Sequence, residues 1–326
     1  MFMRVKLVIV LSLFLITLIA SITHEVRFDI RAGSSGWVGT VYIRADGSID
    51  PPDAPIITHD KITYTLTDNI TSALNYGIIV EKSDIIIDGN NYTLRGREAG
   101  HGVHLSNVTN ITIRNVKITK FWDGIWLCFS SNITIIGNVM KSNIDCGICL
   151  KNSTDNKIVG NKITDSYIGI GLYYSSNNTI IENNIVENDW SGIEVFISPQ
   201  NALIENHIEA NNSSGIWLGD FSINNKVIGN TFINDGLVVW YSNHHVVVDN
   251  LVNGKPLIYL EEVSDYTISG TNAGQVILVD CERILVENLN LSYADIGLEM
   301  WGVKDTKIVG NIMKANSLAA IWACHS

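Results

Sequence analysis

The chain has 326 residues, of which 46% are hydrophobic and 17% charged, and its 22 basic and 33 acidic side chains leave a net charge of -11. That much apolar content with so little charge excludes an intrinsically disordered chain. The acidic balance argues against a nucleic-acid partner, which would call for a basic surface facing phosphate. The composition is skewed towards 48 Ile and 34 Asn, with only 5 Pro. Ile with Asn means β-branched strands punctuated by polar corners, a mixture typical of repeat proteins.

Residues 1–23 read as a leader. Arg4 and Lys6 precede an unbroken apolar run from Leu7 to Ala20. This is the layout of a secretory signal, or of an N-terminal anchor if it is not cleaved at the small triplet Ser21-Ile22-Thr23. Either way the chain is expected outside the cytoplasm, at the cell surface, in the medium or in a periplasm-like space. Ten Asn-x-Ser/Thr sequons suit an exported glycoprotein: Asn69, Asn91, Asn107, Asn110, Asn132, Asn152, Asn177, Asn211, Asn212 and Asn290. Asn at a repeat corner explains the same pattern without any sugar. The five cysteines, Cys128, Cys146, Cys149, Cys281 and Cys324, are an odd set and not the disulfide framework of a small fold.

Residues 24–84 lack the repeat found further on. Gly36, Gly39, Pro51, Pro52 and Pro55 surround short strand-like runs at Thr40-Val-Tyr-Ile43 and Thr63-Tyr-Thr-Leu66. A solenoid needs a cover over its open core, so this stretch is expected to be the N-terminal cap.

Residues 85–326 carry the repeat. An apolar residue, a variable one and then Asn recur with the Asn at Asn138, Asn161, Asn183, Asn206, Asn230, Asn250 and Asn311. The spacings are 23, 22, 23, 24 and 20, then 61. Asn115 and Asn288 fit the same series by spacing, and the 38 residues from Asn250 to Asn288 read as two shortened coils. A second signature precedes each Asn, as in Gly124-Ile-Trp-Leu127, Gly147-Ile-Cys-Leu150, Gly169-Ile-Gly-Leu172, Gly192-Ile-Glu-Val195 and Gly215-Ile-Trp-Leu218. Apolar and variable residues alternate, which is strand periodicity, and after the leader there is no helical stripe of useful length. A strand repeat of this length closes its backbone hydrogen bonds by coiling, each turn stacked about 4.8 Å above the last. The expected fold is all-β: a single-stranded parallel β-helix of about ten to eleven coils. The Asn series should form a side-chain ladder at one corner. Ala320-Ile-Trp-Ala323 opens one more coil, and no cap is evident after it.

Asp84-Ile-Ile-Ile-Asp-Gly-Asn-Asn-Tyr-Thr-Leu-Arg-Gly96, the Gly-Ile-x-Leu and Gly-Asn repeats, and Gly254-Lys-Pro-Leu-Ile-Tyr259 together resemble NosD-type β-helix proteins. The opening from Gly39 to Pro52 is similar to exported archaeal β-helix proteins. The resemblance covers roughly 37–326 and implies a right-handed helix. The family name implies an accessory role in periplasmic copper-centre assembly. The wider class of carbohydrate-binding and sugar-hydrolysis β-helices implies polysaccharide ligands.

The register then predicts which side chains share the outer face. One column runs Trp126, Cys149, Gly171, Glu194, Trp217, Val238 and Glu299. A second runs Cys128, Lys151, Tyr173, Phe196, Gly219, Trp240 and Trp301, and a third Trp122, Asp145, Tyr167, Trp190, Ser213, Asn234 and Asp295. Exposed aromatic stripes usually mark interaction sites, and flat apolar rings suit sugar faces. The expected carbohydrate-binding set is Trp122, Trp126, Tyr167, Tyr173, Trp190, Glu194, Trp217 and Trp240, with Asp123, Asp145 and Glu194 on its rim. Structural stacking along the solenoid and a protein interface are the competing readings. Asp123, Asp145 and Glu194 are the candidate catalytic acids for a glycan hydrolase or lyase, although paired carboxylates at working separation are not evident. Cys146-x-x-Cys149, with Cys128 one coil away, is the candidate metal motif. The sequence points to no organic cofactor and leaves calcium and copper open. A structural or adhesin module without catalysis is the third functional reading.

Overall fold

The structure, a computed structural model, describes residues 36–270 and 272–325; the expected leader lies outside them. Among the described residues there is no helix. Strands of two to seven residues coil into a parallel solenoid of about 11 turns. Three walls form the main stack. One holds strands such as Asp123–Cys128, Cys146–Lys151, Ile168–Tyr173, Ser191–Phe196 and Ser214–Gly219. The second holds three-residue strands such as Lys157–Val159 and Thr179–Ile181, and the third Lys162–Thr164 and Asn184–Val186. Registers advance one coil at a time, Ile125 to Ile148 to Ile170 to Ile193 to Ile216, and these five side chains are fully buried.

The glycine of the repeat signature is a steric requirement. A Cβ on Gly169 would lie 2.4 Å from the carbonyl oxygen of Gly192, and one on Gly192 would lie 2.6 Å from that of Gly215. Successive coils therefore approach so closely at this corner that no side chain fits between them.

Asn fills the next corner. Asn161 donates its backbone N–H and its Nδ2 to Asn183 Oδ1, at 2.9 and 3.0 Å. The same pair of bonds links Asn138 to Asn161, Asn183 to Asn206, Asn206 to Asn230 and Asn230 to Asn250. Further columns were not foreseen from the sequence. Asn156, Asn178, Asn201 and Asn225 form a second ladder, and Ser130, Ser153, Ser175, Ser198 and Ser222 a third. Asn115 and Asn288 do not belong to the first ladder. Both have positive φ, and the ladder bonds come instead from the N–H groups of Val116 and Leu289, to Asn138 and Asn311. An Asn-rich corner holds both a left-handed position and a ladder position, and the two are one residue apart. Six sequon residues, Asn91, Asn107, Asn110, Asn132, Asn152 and Asn177, also take positive φ, which Asn tolerates better than most residues. Asn211 is buried in a column with Asn188 and Asp235.

Parallel stacking starts before residue 85: Val41–Ile43 pairs with Tyr76–Val80, and Thr63–Leu66 with Ile85–Asp88. Residues 37–84 therefore supply coil strands, along with antiparallel hairpins at Ile49–Asp50 and Ile56–Ile57.

The stretch from Asn250 to Asn288 is not two shortened coils of the same stack. Asn253 and Gly254 both take positive φ and turn the chain in a hairpin, so Lys255 pairs antiparallel with Val252. This is the Asn-Gly turn that matches strand twist. Beyond it, Lys255–Glu261, Gln275–Val279, Ile296–Trp301 and Ala319–Cys324 form a second, smaller parallel stack. One face of it, with Val276, Leu278, Leu298 and Met300, encloses a core of its own. The other, with Leu257, Ile277 and Val279, closes over the core of the main stack. The strand Leu237–Trp240 is thereby met by side chains in place of a further strand. Gln275 bonds the N–H and C=O of Leu237, Asp295 accepts the N–H groups of Gly215 and Gly236, and Glu299 accepts that of Val239. Glu299 is thus 2% exposed and Asp295 fully buried. Neither belongs to the outer columns, because the hairpin breaks the register on which those columns depend. Trp301 also leaves its column but touches Trp240, ring centroids 5.8 Å apart. Asn311 lies in the second stack, donating to the Val286 carbonyl, and not above Asn250.

Candidate functional site

The first wall carries the predicted residues from Trp122 to Trp240 on its outer side. The registers His104–Trp126–Cys149–Gly171–Glu194–Trp217–Val238 and Ser106–Cys128–Lys151–Tyr173–Phe196–Gly219–Trp240 run coil by coil. Backbone bonds from Asp145 to Trp122, Ile168 to Asp145, Trp190 to Tyr167 and Ser213 to Trp190 align the third column at the corner. Trp122, Tyr167 and Trp190 are its exposed aromatic members, at 49%, 43% and 40%. Tyr167 and Trp190 are stacked, with centroids 5.9 Å apart and planes 17° apart. Trp217 and Trp240 are tilted and 6.2 Å apart.

Two glycines in these columns are covered by neighbouring rings. A Cβ on Gly171 would lie 2.7 Å from Tyr173, and one on Gly219 would lie 2.6 Å from the Trp217 indole nitrogen. Tyr173 and Trp217 therefore lie down against bare backbone, so part of each ring serves the wall itself. A second aromatic edge escaped the sequence reading. Phe129, Tyr174, Phe221 and Tyr241 are exposed and all take positive φ at the opposite corner of the same wall. They are invisible to alternation because a corner residue belongs to no strand period. A cleft of about 230 Å³ lies between Phe221, Tyr241 and Trp301.

The acids separate by environment. Asp145 and Glu194 stay at the surface of the wall, partly covered. Burial and the neighbouring Asp123 push the Asp145 carboxyl up to about 6, against a hydrogen bond from Trp122. Burial and Asp145 push Glu194 up to about 7. Asp123 is not a rim residue: it is 1% exposed. Cys149 is in its predicted column but is 2% exposed, packed with Cys146 and Ile168 beneath Trp126 and Tyr173. Val238 is likewise buried.

Asp123, Cys146 and Cys149 come together, one ligand atom of each lying within 4.8 Å of the others. Cys128 is not among them. The Cys146 thiol donates to the Cys149 sulfur, and this bond together with burial raises its pKa well above the ordinary value. Asp123 Oδ1 accepts the Cys146 N–H at 3.2 Å. His101, which pairs with Asp123 one coil below, brings Nδ1 to 2.9 Å from Asp123 Oδ2. The approach is not aligned as a hydrogen bond, and neither atom has another protein partner. His101 stacks on Trp126, centroids 4.9 Å apart and planes 12° apart, and on His104. Neither histidine was singled out from the sequence. The signal was there: His101-Gly-Val-His-Leu105 is the same signature one coil earlier, with Val in place of Ile.

A family model described as a periplasmic copper-binding protein, NosD, matches residues 40–198 and 95–243, together more than half of the chain. No curated protein matches. Among solved structures, the chain is similar to a mutant of the periplasmic alginate epimerase AlgG, with 16% identity, a TM-score of 0.50 and 78% of each chain covered. It is also similar to the Azotobacter vinelandii mannuronan C-5 epimerase AlgE4 A-module, with 13% identity, a TM-score of 0.46, and 89% of this chain and 91% of that one covered. At these identities the likeness is one of fold.

Proposed function

This chain belongs to the NosD family, and from that premise we propose that it is an exported β-helix protein that binds polysaccharide along the outer side of its first wall. One observation carries the reading: Trp122, Tyr167 and Trp190 stand exposed on one column of a rigid stack, with Asp145 among them. Large exposed rings are costly to leave in water and mark a surface that another molecule covers. The coils hold the rings at fixed intervals, so a chain of sugars can lay successive apolar faces on successive rings. Asp145 and Glu194 accept hydrogen bonds from sugar hydroxyls. The net charge of -11 opposes a polyanionic ligand, so the glycan is neutral or weakly charged. A periplasm-like or surface location agrees with the family description. The reading is one of binding.

Affinity electrophoresis through gels holding neutral and acidic polysaccharides tests this. Retardation in a neutral glycan is expected, weakened about tenfold in Trp122→Ala and Trp190→Ala, since losing one stacked ring costs about 1 kcal/mol or more. Unchanged mobility on every polysaccharide, or equal retardation of the wild-type and variant chains, refutes it. The copper in the family description calls for thiol or imidazole donors, which the three exposed rings do not supply.

A further inference from the structure

We propose that Cys146 and Cys149, with Asp123 beside them, are a binding site for one thiophilic d10 metal ion, with His101 positioning the carboxylate. The site goes beyond polysaccharide binding and does not depend on it. Two soft sulfur donors sit next to each other on one strand, and soft donors select ions such as Cu(I) and Zn(II). Copper is the metal of the family description, and this donor set fits it. The third donor is independent evidence. Asp123 is 1% exposed, one of its oxygens lies within 4.8 Å of both sulfurs, and its Oδ2, with His101 Nδ1 unaligned at 2.9 Å, accepts no hydrogen bond in the protein. A buried carboxylate oxygen that accepts no hydrogen bond is expensive in a folded chain, and a bound cation would satisfy it.

The surroundings are those of a built site. Trp126 and Tyr173 pack over the two sulfurs together with Ile168, which excludes water from the donors. The stack of His104, His101 and Trp126 fixes the imidazole, and His101 Nδ1 lies against the outer oxygen of Asp123. Metal-bound ligands are commonly oriented by such a neighbour. Thiols bind as thiolates, so each Cys that coordinates releases its proton to the buffer. Cys128 and Cys281 lie elsewhere, the latter with its thiol directed at the Leu260 and Val279 carbonyls.

The test uses the full chain, reduced and handled without oxygen. It is titrated with Cu(I) against a coloured Cu(I) chelator, and separately with Zn(II) against a coloured zinc chelator. One ion per chain is expected in at least one titration, with thiolate-to-metal absorption in the ultraviolet for Cu(I). Cys146→Ser and Cys149→Ser should each lower affinity at least a hundredfold, and Asp123→Asn at least tenfold. Cys281→Ser should bind like the parent chain, which separates a site effect from general damage, and circular dichroism checks that each variant keeps its strands. Failure of both ions to bind, or binding that survives loss of either Cys146 or Cys149, overturns the proposal. Retardation by polysaccharide is measured on the same samples. Its persistence in Cys149→Ser would leave the glycan reading intact whatever the metal result.

Discussion

Glu299→Gln offers a quantitative test of how the two stacks join. Glu299 is 2% exposed, and both its oxygens accept the Val239 N–H, at 3.1 and 3.2 Å. Burial, against the Val239 bond, pushes its carboxyl from 4.5 up to about 8. A carboxyl with a raised folded-state pKa holds its proton more tightly when folded than when unfolded. Its contribution is therefore fully present below about pH 4.5, declines as pH rises, and is lost by about pH 8. The window is about 3.5 pKa units, and at ~1.4 kcal/mol per unit the loss is at most on the order of 5 kcal/mol. Glutamine keeps an oxygen for Val239 and carries no charge, so it lacks this slope. Urea unfolding at pH 5, 7 and 9 should show the variant close to wild type at pH 5 and increasingly the more stable towards pH 9. Asp235, whose carboxyl burial also raises, is present in both chains, whereas the nearby Asp295 charge adds to the rise at Glu299 and so contributes to the difference. A stability difference that is the same at all three pH values, or that grows towards acid, would show that Glu299 is not held uncharged at this junction.

Asn183→Ala should lower stability by about 3 to 5 kcal/mol. It takes the Oδ1 acceptor from the N–H and Nδ2 of Asn161 and the Nδ2 donor from the Ile158 carbonyl, while Asn206 Oδ1 keeps the backbone N–H of residue 183, at roughly 1–3 kcal/mol per buried group left unpaired. A urea midpoint unchanged within error would refute the ladder as a source of stability. Gly169→Ala should prevent folding or cost several kcal/mol, because its Cβ meets the Gly192 carbonyl oxygen at 2.4 Å. Gly160→Ala, at φ +57 with nothing within 4 Å, should cost only about 1–2 kcal/mol. Thermal melts of the pair decide it, and equal losses would contradict the close approach of coils at the first position.

Much of this molecule was legible in its sequence because a solenoid repeats a local rule. Each coil places the same kind of residue in the same place, so a spacing of 22 to 24 is enough to put Trp126 above His104, Cys149 above Trp126 and Asn183 above Asn161. Fold class, ladder and outer columns follow from that periodicity alone. It could not say how deep an outward residue lies. Cys149 is buried because Trp126, Tyr173 and Ile168 close over it, and that depends on which side chains meet across coils. Nor could it carry past a break. A single Asn-Gly turn at 253–254 reverses the chain, and the face that then meets Leu237–Trp240 takes Glu299 and Asp295 from the predicted outer columns into the junction. Periodicity is a property of neighbours one coil apart. Docking one stack on another joins residues about 60 to 80 positions apart, as Val239 with Glu299 and Gly215 with Asp295, and only packing of the whole chain decides such pairs.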